Sequence, residues 1–365
     1  MSRQTQTALV QSPPKELAGS LPLSVSTTVE VPTISSDYHV LVRVLAVALN
    51  PNDHKMITHY PMPGNLAGCD FCGVVEATGP SSLQPTGTRV CGAVFPYKPD
   101  EPRSGAFAEW LVADSRLLLR VPHAWTDLEG AALGGVGWST VCLAMSHPTA
   151  LALVGRPSKP SEKKEPVLVY GGATATGTMA CQLLKLSGYI PLAVVSSKSA
   201  ALSVQYGAAA TASYTAANPV DAIRSIARGQ PIRHALDCIT DAESAGISFA
   251  SLARAGGRYA CLEECPQTWR TRRAVRVKEV MGYEILGGRV DLGPSSIYSR
   301  ESSHMSLVIG QEWAADMHSL LDKGSIKHHP MREITGKWDG IMQGLGMLQR
   351  GEVRGQKLVI RISEL

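Results

Sequence analysis

Residues 171 to 177 read Gly-Gly-Ala-Thr-Ala-Thr-Gly. Small and hydroxylated residues in that order suit one task, holding an anion against backbone N–H groups. Gly171 and Gly172 allow a tight turn at little steric cost, and Gly177 lets the segment after the turn pack close to the one before it. An apolar run (VLVY, 167–170) precedes the glycines. Met179, Leu183, Leu184 and Leu186 follow at helical spacing, and a second apolar run occupies 190–195. Strand, turn, helix and strand make a βαβ unit that opens a doubly wound sheet, with the helix start facing a pyrophosphate. Thr174 departs from the usual GxGxxG pattern by standing where its middle small residue is expected. Its hydroxyl, beside Ala173, Ala175 and Thr176, can still donate to a phosphate oxygen.

The tip of the second strand distinguishes between nucleotides. Readers of NAD place Asp or Glu about 20 residues past the glycines to bind the ribose 2′-OH. Here the tip reads Ser196-Ser197-Lys198-Ser199. Three hydroxyls and one cation, with no carboxylate to repel a 2′-phosphate, predict NADPH.

The elements that must position these groups alternate on both sides of them. At 365 residues the chain has room for two domains. Residues 1–150 read as short apolar runs, at 40–49, 71–78 and 107–112, punctuated by glycine and proline; this predicts a partly open β-barrel. A proline- and charge-rich stretch at 156–166 predicts a solvated connector into the nucleotide domain. Beyond the glycine turn, Asn218-Pro219 opens a helix, 235–239 is a strand, 243–254 a helix and 258–262 a strand. Helices follow at 305–323 and 338–350. The last strand, 357–362, is expected to complete the first domain's barrel.

With 44% hydrophobic residues and a net charge of +4, nothing suits nucleic acid. No apolar run is expected to span a membrane, and the N-terminal stretch 1–17 lacks a signal-peptide core, so a cytoplasmic location is expected. Eight cysteines show no regular framework. Cys69 and Cys72 form a CxxC, yet no second knuckle accompanies it, so no metal is expected.

The words GCDFCGVVEATG (68–79), GTRVCGAV (87–94), GAFAEW (105–110) and the glycine turn resemble the medium-chain dehydrogenase/reductase superfamily. NPNDHKM (50–56), LVYGGATAT (168–176), LSGYIP (186–191), ALDCIT (235–240), RAGG (254–257) and HHPMR (328–332) are similar to the trans-acting enoyl reductases of fungal polyketide synthases, of lovastatin type. The resemblance implies an α/β chain with two domains. A GroES-like, partly open β-barrel catalytic domain spans 1–155 and 306–365, and a Rossmann NADPH-binding domain spans 156–305. It places Asn50, Cys69 and Val136 at the catalytic-zinc positions of other members, which implies the zinc-independent branch.

Residue by residue, it puts Asn52, Asp53, His54 and Lys55 near nicotinamide and ribose, and Thr174, Ala175, Thr176 and Gly177 on the pyrophosphate. Ser197, Lys198, Ser199 and Ala200 fall at the 2′-phosphate, Tyr214 and Thr215 near adenine, Leu262 and Glu263 by the nicotinamide, and Arg354 and Gly355 at the C-terminal contact. An acyl channel would be lined by Val141, Cys142, Leu143, Ala144, Met145, Ser146, His147 and Pro148, with Glu284, Ile285, Leu286, Gly287 and Gly288. Lys55 and Thr140 are the expected donors to the thioester oxygen, which gains charge as hydride arrives. His328 and His329 are expected to be structural.

The implied reaction is reduction of an α,β-unsaturated thioester on the acyl carrier domain of a polyketide synthase or a synthase–peptide synthetase hybrid. A free-standing quinone or enone reductase, and a cofactor-binding partner without turnover, are the alternatives. Glycine and proline at 285–294 interrupt the expected edge strand of the nucleotide domain, which predicts a monomer.

Overall fold

The structure, a computed structural model, describes residues 4–13 and 21–363, so parts of the N-terminal stretch 1–17 lie outside it. In chain order the elements are β1 (Thr5–Gln11), β2 (Leu23–Glu30), β3 (His39–Ala48), α1 (Pro51–His59), β4 (Asp70–Thr78), β5 (Arg89–Ala93), β6 (Trp110–Asp114), β7 (Leu119–Arg120), α2 (Asp127–Leu133), α3 (Val136–Ser146), β8 (Pro166–Tyr170), α4 (Ala175–Leu186), β9 (Ile190–Val195), α5 (Ala200–Gln205), β10 (Ala210–Ser213), α6 (Pro219–Ile226), β11 (His234–Asp237), α7 (Ala242–Ser251), β12 (Gly257–Cys261), β13 (Val275–Glu279), α8 (His304–Asp322), β14 (Met331–Glu333), α9 (Lys337–Gln349) and β15 (Lys357–Arg361).

The chain divides into two compact units. The first holds residues 1–136, 288–302 and 317–365, and the second 137–287 and 303–316. In the first, β3 alternates buried and half-buried residues before running fully buried from Val44. It is therefore the central strand of a curled sheet ordered β14-β15-β3-β4-β5-β7, with β6 also on β3. β15 pairs antiparallel with β3, Val359 opposite Ala48, so the last strand closes the first domain's sheet as expected. The strand pair β1–β2 was not visible in the apolar pattern, because β2 is mostly polar and half-exposed.

In the second unit six parallel strands are ordered β10-β9-β8-β11-β12-β13. Strand order therefore reverses between β8 and β11, and the carboxyl ends of those two strands flank the crevice where doubly wound sheets bind ligands.

The boundaries differ from the sequence reading, which also put residues 306–316 in the first domain where they fall in the second unit. Residues 137–155 pack with the second unit, not the first. α3 is mostly apolar and shows no polar face, and its residues Trp138 to Met145 are buried. Within that unit Trp313 Nε1 donates to Ser146 Oγ at 2.8 Å, and Arg258 Nη1 donates to the carbonyls of Pro148 and Ala150 at 2.9 and 2.8 Å. The stretch 156–166 is thus no domain junction, and its Arg156 pairs with Glu312 at 2.5 Å. Residues 288–302 belong to the first unit, where Ser296 Oγ donates to Tyr60 Oη at 3.2 Å and Tyr298 meets the Tyr60 ring edge-on.

The edge of the parallel sheet is β13, not residues 285–294, which form one turn of 3₁₀ helix and a loop bridged from Val290 to Arg300. Finally, Asp127–Ser146 has the length and mean apolarity of a membrane span, as a buried core segment also can. It is 83% buried in the fold, and Gly134, at φ 52°, divides it into two helices.

Candidate functional site

The glycine turn is built as its residue types predict. Gly171 adopts φ +75°, and a Cβ on Gly177 would stand 2.2 Å from the Gly171 carbonyl oxygen, so α4 starts directly against the end of β8. Thr174 is the N-cap of α4: its Oγ1 accepts from Gly177 N–H at 3.0 Å. It fastens the helix start, while Ala175 and Thr176, half-buried in the first turn, carry N–H groups that have no partner within the helix. A dinucleotide pyrophosphate fits this cradle.

At the tip of β9 the hydroxyls converge. Ser196 and Ser199 share a hydrogen bond of 2.9 Å, and Ser197 Oγ reaches Ser213 Oγ at 3.4 Å. Ser213 in turn meets Thr215 Oγ1 at 2.9 Å and accepts from Thr215 N–H at 3.2 Å. Lys198 is exposed on the 3₁₀ turn Ser197–Ser199, next to half-buried Ala200. Tyr214 stacks on Tyr170, the last residue of β8, with ring centroids 6.2 Å apart. The structure thus gathers Ser197, Lys198, Ser199, Tyr214 and Thr215 at neighbouring strand ends. Ser213 was missed in the sequence. Its signal was its place as the last residue of a strand parallel to β9, opposite Val195.

The exit of β11 carries a second feature missed in the sequence. Asp237 is fully buried and accepts four hydrogen bonds: from the N–H groups of Ile239 and Thr240 (2.9 Å each), from Ser244 Oγ (2.6 Å) and from Tyr259 Oη (2.7 Å). Burial pushes its carboxyl pKa up, against the pull of those donors. Leu262 and Glu263, both half-buried, leave β12 beside this loop.

In the first unit α1 presents Asn52, His54 and Lys55 half-buried, but Asp53 points inward with no exposed surface. Its Oδ2 accepts from Asn50 N–H at 2.7 Å. Burial raises its pKa to about 7, opposed by the Cys69 thiol and the Asn50 N–H. Asp53 therefore fastens α1 and is not a surface for cofactor, which corrects the sequence reading.

Asn50 and Val136, two of the three positions aligned with zinc ligands, both serve Asp70. Asp70 Oδ2 accepts from Asn50 Nδ2 (2.9 Å) and Lys357 Nζ (2.6 Å), and Oδ1 accepts from the N–H groups of Gly135 (2.7 Å) and Val136 (2.8 Å). Asn52 Nδ2 donates to Cys69 Sγ at 3.7 Å. Among the described residues no group of three His, Cys, Asp or Glu side chains could hold a metal. His328 pairs with Glu129 at 3.3 Å and packs edge-on to Trp125, and His329 is buried.

The expected acyl-channel residues differ in exposure. Val141, Cys142, Leu143, Ala144 and Met145 are core of α3. Ser146 holds Trp313, His147 Nδ1 bonds Thr149 Oγ1 at 2.9 Å, and Pro148 is exposed. Glu284 is buried with Lys278 at 3.5 Å, and Ile285 is buried. Leu286 and Gly287 (φ +74°) are half-buried, and Gly288 is exposed. Thr140 is nearly buried against this segment, since a Cβ on Gly282 would stand 2.4 Å from its Oγ1. Arg354 and Gly355 (φ +62°) are exposed just before β15.

A curled, mostly antiparallel sheet in one unit, and in the other a six-stranded parallel sheet with a glycine turn at its first strand, define a medium-chain dehydrogenase/reductase. Residues 36–123 match the alcohol dehydrogenase GroES-like domain. The chain is similar in fold to an alcohol dehydrogenase superfamily protein from Novosphingobium aromaticivorans (TM-score 0.75, 19% identity, 99% of this chain and 100% of that one). It is also similar in fold to CurK enoyl reductase (TM-score 0.71, 15% identity, the same coverage).

In sequence it is 54% identical to trans-enoyl reductase calK of Penicillium decumbens over 100% of both chains. It is also 54% identical to trans-enoyl reductase sthE of Phaeosphaeria nodorum over 98% of both. The chain belongs to the trans-enoyl reductase family and is an oxidoreductase. Reductases of this fold draw on NAD(P)H.

Proposed function

We propose that the protein reduces α,β-unsaturated polyketide thioesters in trans, with NADPH, while they are tethered to the acyl carrier domain of a synthase. The observation that carries the cofactor assignment is the tip of β9, where Ser196, Ser197, Ser199, Ser213 and Thr215 converge beside Lys198. Hydroxyls and one ammonium suit a 2′-phosphate, and 196–199 contains no carboxylate to repel it. Ala200 opens α5 behind them. The start of α4 holds the pyrophosphate, Tyr214 packs beside the adenine, and Leu262, Glu263, Asn52 and His54 serve the nicotinamide half.

When bound, the nicotinamide supplies hydride for the β-carbon of the thioester. Lys55 and Thr140 are assigned to the thioester oxygen, where a positive charge and a hydroxyl donor lower the barrier as negative charge develops. Leu286, Gly287 and Gly288 remain for the acyl chain, and Arg354 and Gly355 for the C-terminal contact. A zinc-free reaction is supported by the Asp70 cluster, where Asn50 and Lys357 offer N–H donors rather than lone pairs.

A single chain docking on its synthase is supported by β13, an edge strand bearing exposed Arg276, since a charge on an edge opposes sheet continuation. The test is binding of NADPH and NADH to Lys198→Ala. NADPH affinity is expected to fall about tenfold while NADH is unchanged; equal weakening of both refutes the 2′-phosphate assignment.

A further inference from the structure

The sequence ALDCIT ends on Thr240, which the proposed reaction leaves without a role. Thr240 lies at φ +61°. A β-branched residue in the left-handed region is a genuine outlier, and a glycine would occupy the same backbone without strain. What holds Thr240 there is specific. Asp237 Oδ1 accepts its N–H at 2.9 Å, and its own Oγ1 donates to the Asp237 carbonyl at 3.2 Å. The same oxygen accepts from Leu262 N–H at 3.1 Å.

One hydroxyl therefore joins the exits of two adjacent strands, β11 and β12, on the carboxyl side of the parallel sheet. The loop it fixes also carries Ile239. A Cβ on Gly171 would stand 2.9 Å from Ile239 Cγ1, so Ile239 forms a wall beside the glycine turn. Strained backbone persists where surrounding bonds over-determine it, and such residues cluster at functional sites.

We infer that Thr240 is a positioning residue for the nicotinamide half of the cofactor, acting through Leu262 and Ile239. Its hydroxyl locks the β12 exit to the β11 loop, and the strained backbone is retained because glycine, which suits the conformation, has no hydroxyl to supply. This rests on the proposed use of a nicotinamide dinucleotide, and two probes separate the halves of that ligand. NADPH requires both halves of the site, whereas adenosine 2′,5′-bisphosphate requires only the glycine turn and the β9 tip.

Calorimetric titration of Thr240→Gly is expected to show NADPH weakened about fivefold, the equilibrium factor of one neutral hydrogen bond. Affinity for adenosine 2′,5′-bisphosphate stays within twofold, and the melting temperature changes little, because relief of the strained backbone offsets the lost Leu262 bond. Thr240→Ser, which keeps the hydroxyl, is expected to restore NADPH affinity. Unchanged NADPH affinity in Thr240→Gly overturns the inference. Equal weakening of both probes with a lowered melting temperature also overturns it, leaving Thr240 a purely structural residue. If the parent protein binds NADH and not NADPH, the 2′-phosphate assignment alone falls, and the same comparison with NADH and ADP decides the role of Thr240.

Discussion

Two buried groups in the first unit titrate in opposite senses over the same pH range, and their substitution should unmask slopes that the parent hides. Asp53 is held at a pKa of about 7, chiefly by burial, against 3.8 for the free side chain. Between those values the folded chain keeps a proton that the unfolded chain releases, so stability falls as pH rises. His329 is held at about 4, first by burial and then by the charges of Lys357 and His328, against 6.5. Between 4 and 6.5 the unfolded chain binds a proton that the fold refuses, so stability rises with pH.

Each slope is a factor of ten in the folding constant per pH unit, about 1.4 kcal/mol. Over their windows Asp53 contributes a loss of roughly 4 kcal/mol and His329 a gain of roughly 3 kcal/mol. From pH 4 to 6.5 the two cancel. Above 6.5 only the Asp53 loss remains, ending near pH 7. Asp237, with a raised pKa, and His39 and His234, with lowered ones, titrate in parent and variants alike and drop out of difference curves.

Urea unfolding of Asp53→Asn from pH 4.5 to 7.5 should therefore show stability, relative to parent, rising by about 1.4 kcal/mol per pH unit until it levels off near pH 7. Asn can still accept the Asn50 N–H through its amide oxygen, so the helix start survives. His329→Gln should show the opposite tilt between pH 4.5 and 6.5. Curves parallel to the parent for either variant would refute the assignment of these two groups as buried and neutral near pH 6.

Lys357→Met should cost about 3 kcal/mol in chemical denaturation. It strips one donor from the buried Asp70 carboxylate but leaves Asn50, Gly135 and Val136 in place, and adding Asp70→Asn should recover part of the loss. A cost under about 1 kcal/mol, the range of a surface pair, would contradict a buried role. Gly177→Ala would force a methyl within 2.2 Å of the Gly171 carbonyl oxygen and should reduce NADPH affinity more than about tenfold. Gly246→Ala in α7, where nothing lies within 4 Å, should leave binding unchanged and add up to about 1 kcal/mol of stability by thermal melting.

What could be read from the sequence was local. The βαβ unit announces itself within 31 residues, 167–197, because strand, glycine turn, helix and serine tip are contiguous and each obeys its own spacing rule. Burial periodicity likewise placed α7, α8, α9 and β15 to within a few residues. α3 misled in both directions. A mostly apolar helix without a polar face reads equally as the wall of an acyl channel or as core, and its company decides: Trp313 and Arg258, more than a hundred residues away in sequence, bond its end and the residues just beyond.

The Asp70 cluster shows the same limit most sharply. Its closest ion pair joins residues 287 apart in sequence, and each partner has an innocent local reading. Asp70 opens a buried strand where a turn residue would pass, and Lys357 opens the last strand where a solvated charge would pass. Only pairing of β15 with β3, and of β3 with β4, brings the two strand starts together and removes both from water. The buried ammonium is tolerated because it pairs with a carboxylate, since a lone buried charge is costly. The last strand of the chain therefore supplies the counter-charge of the carboxylate that Asn50 and Val136 also bond, which ties the C-terminal strand to a cluster whose other members lie in the first half of the sequence.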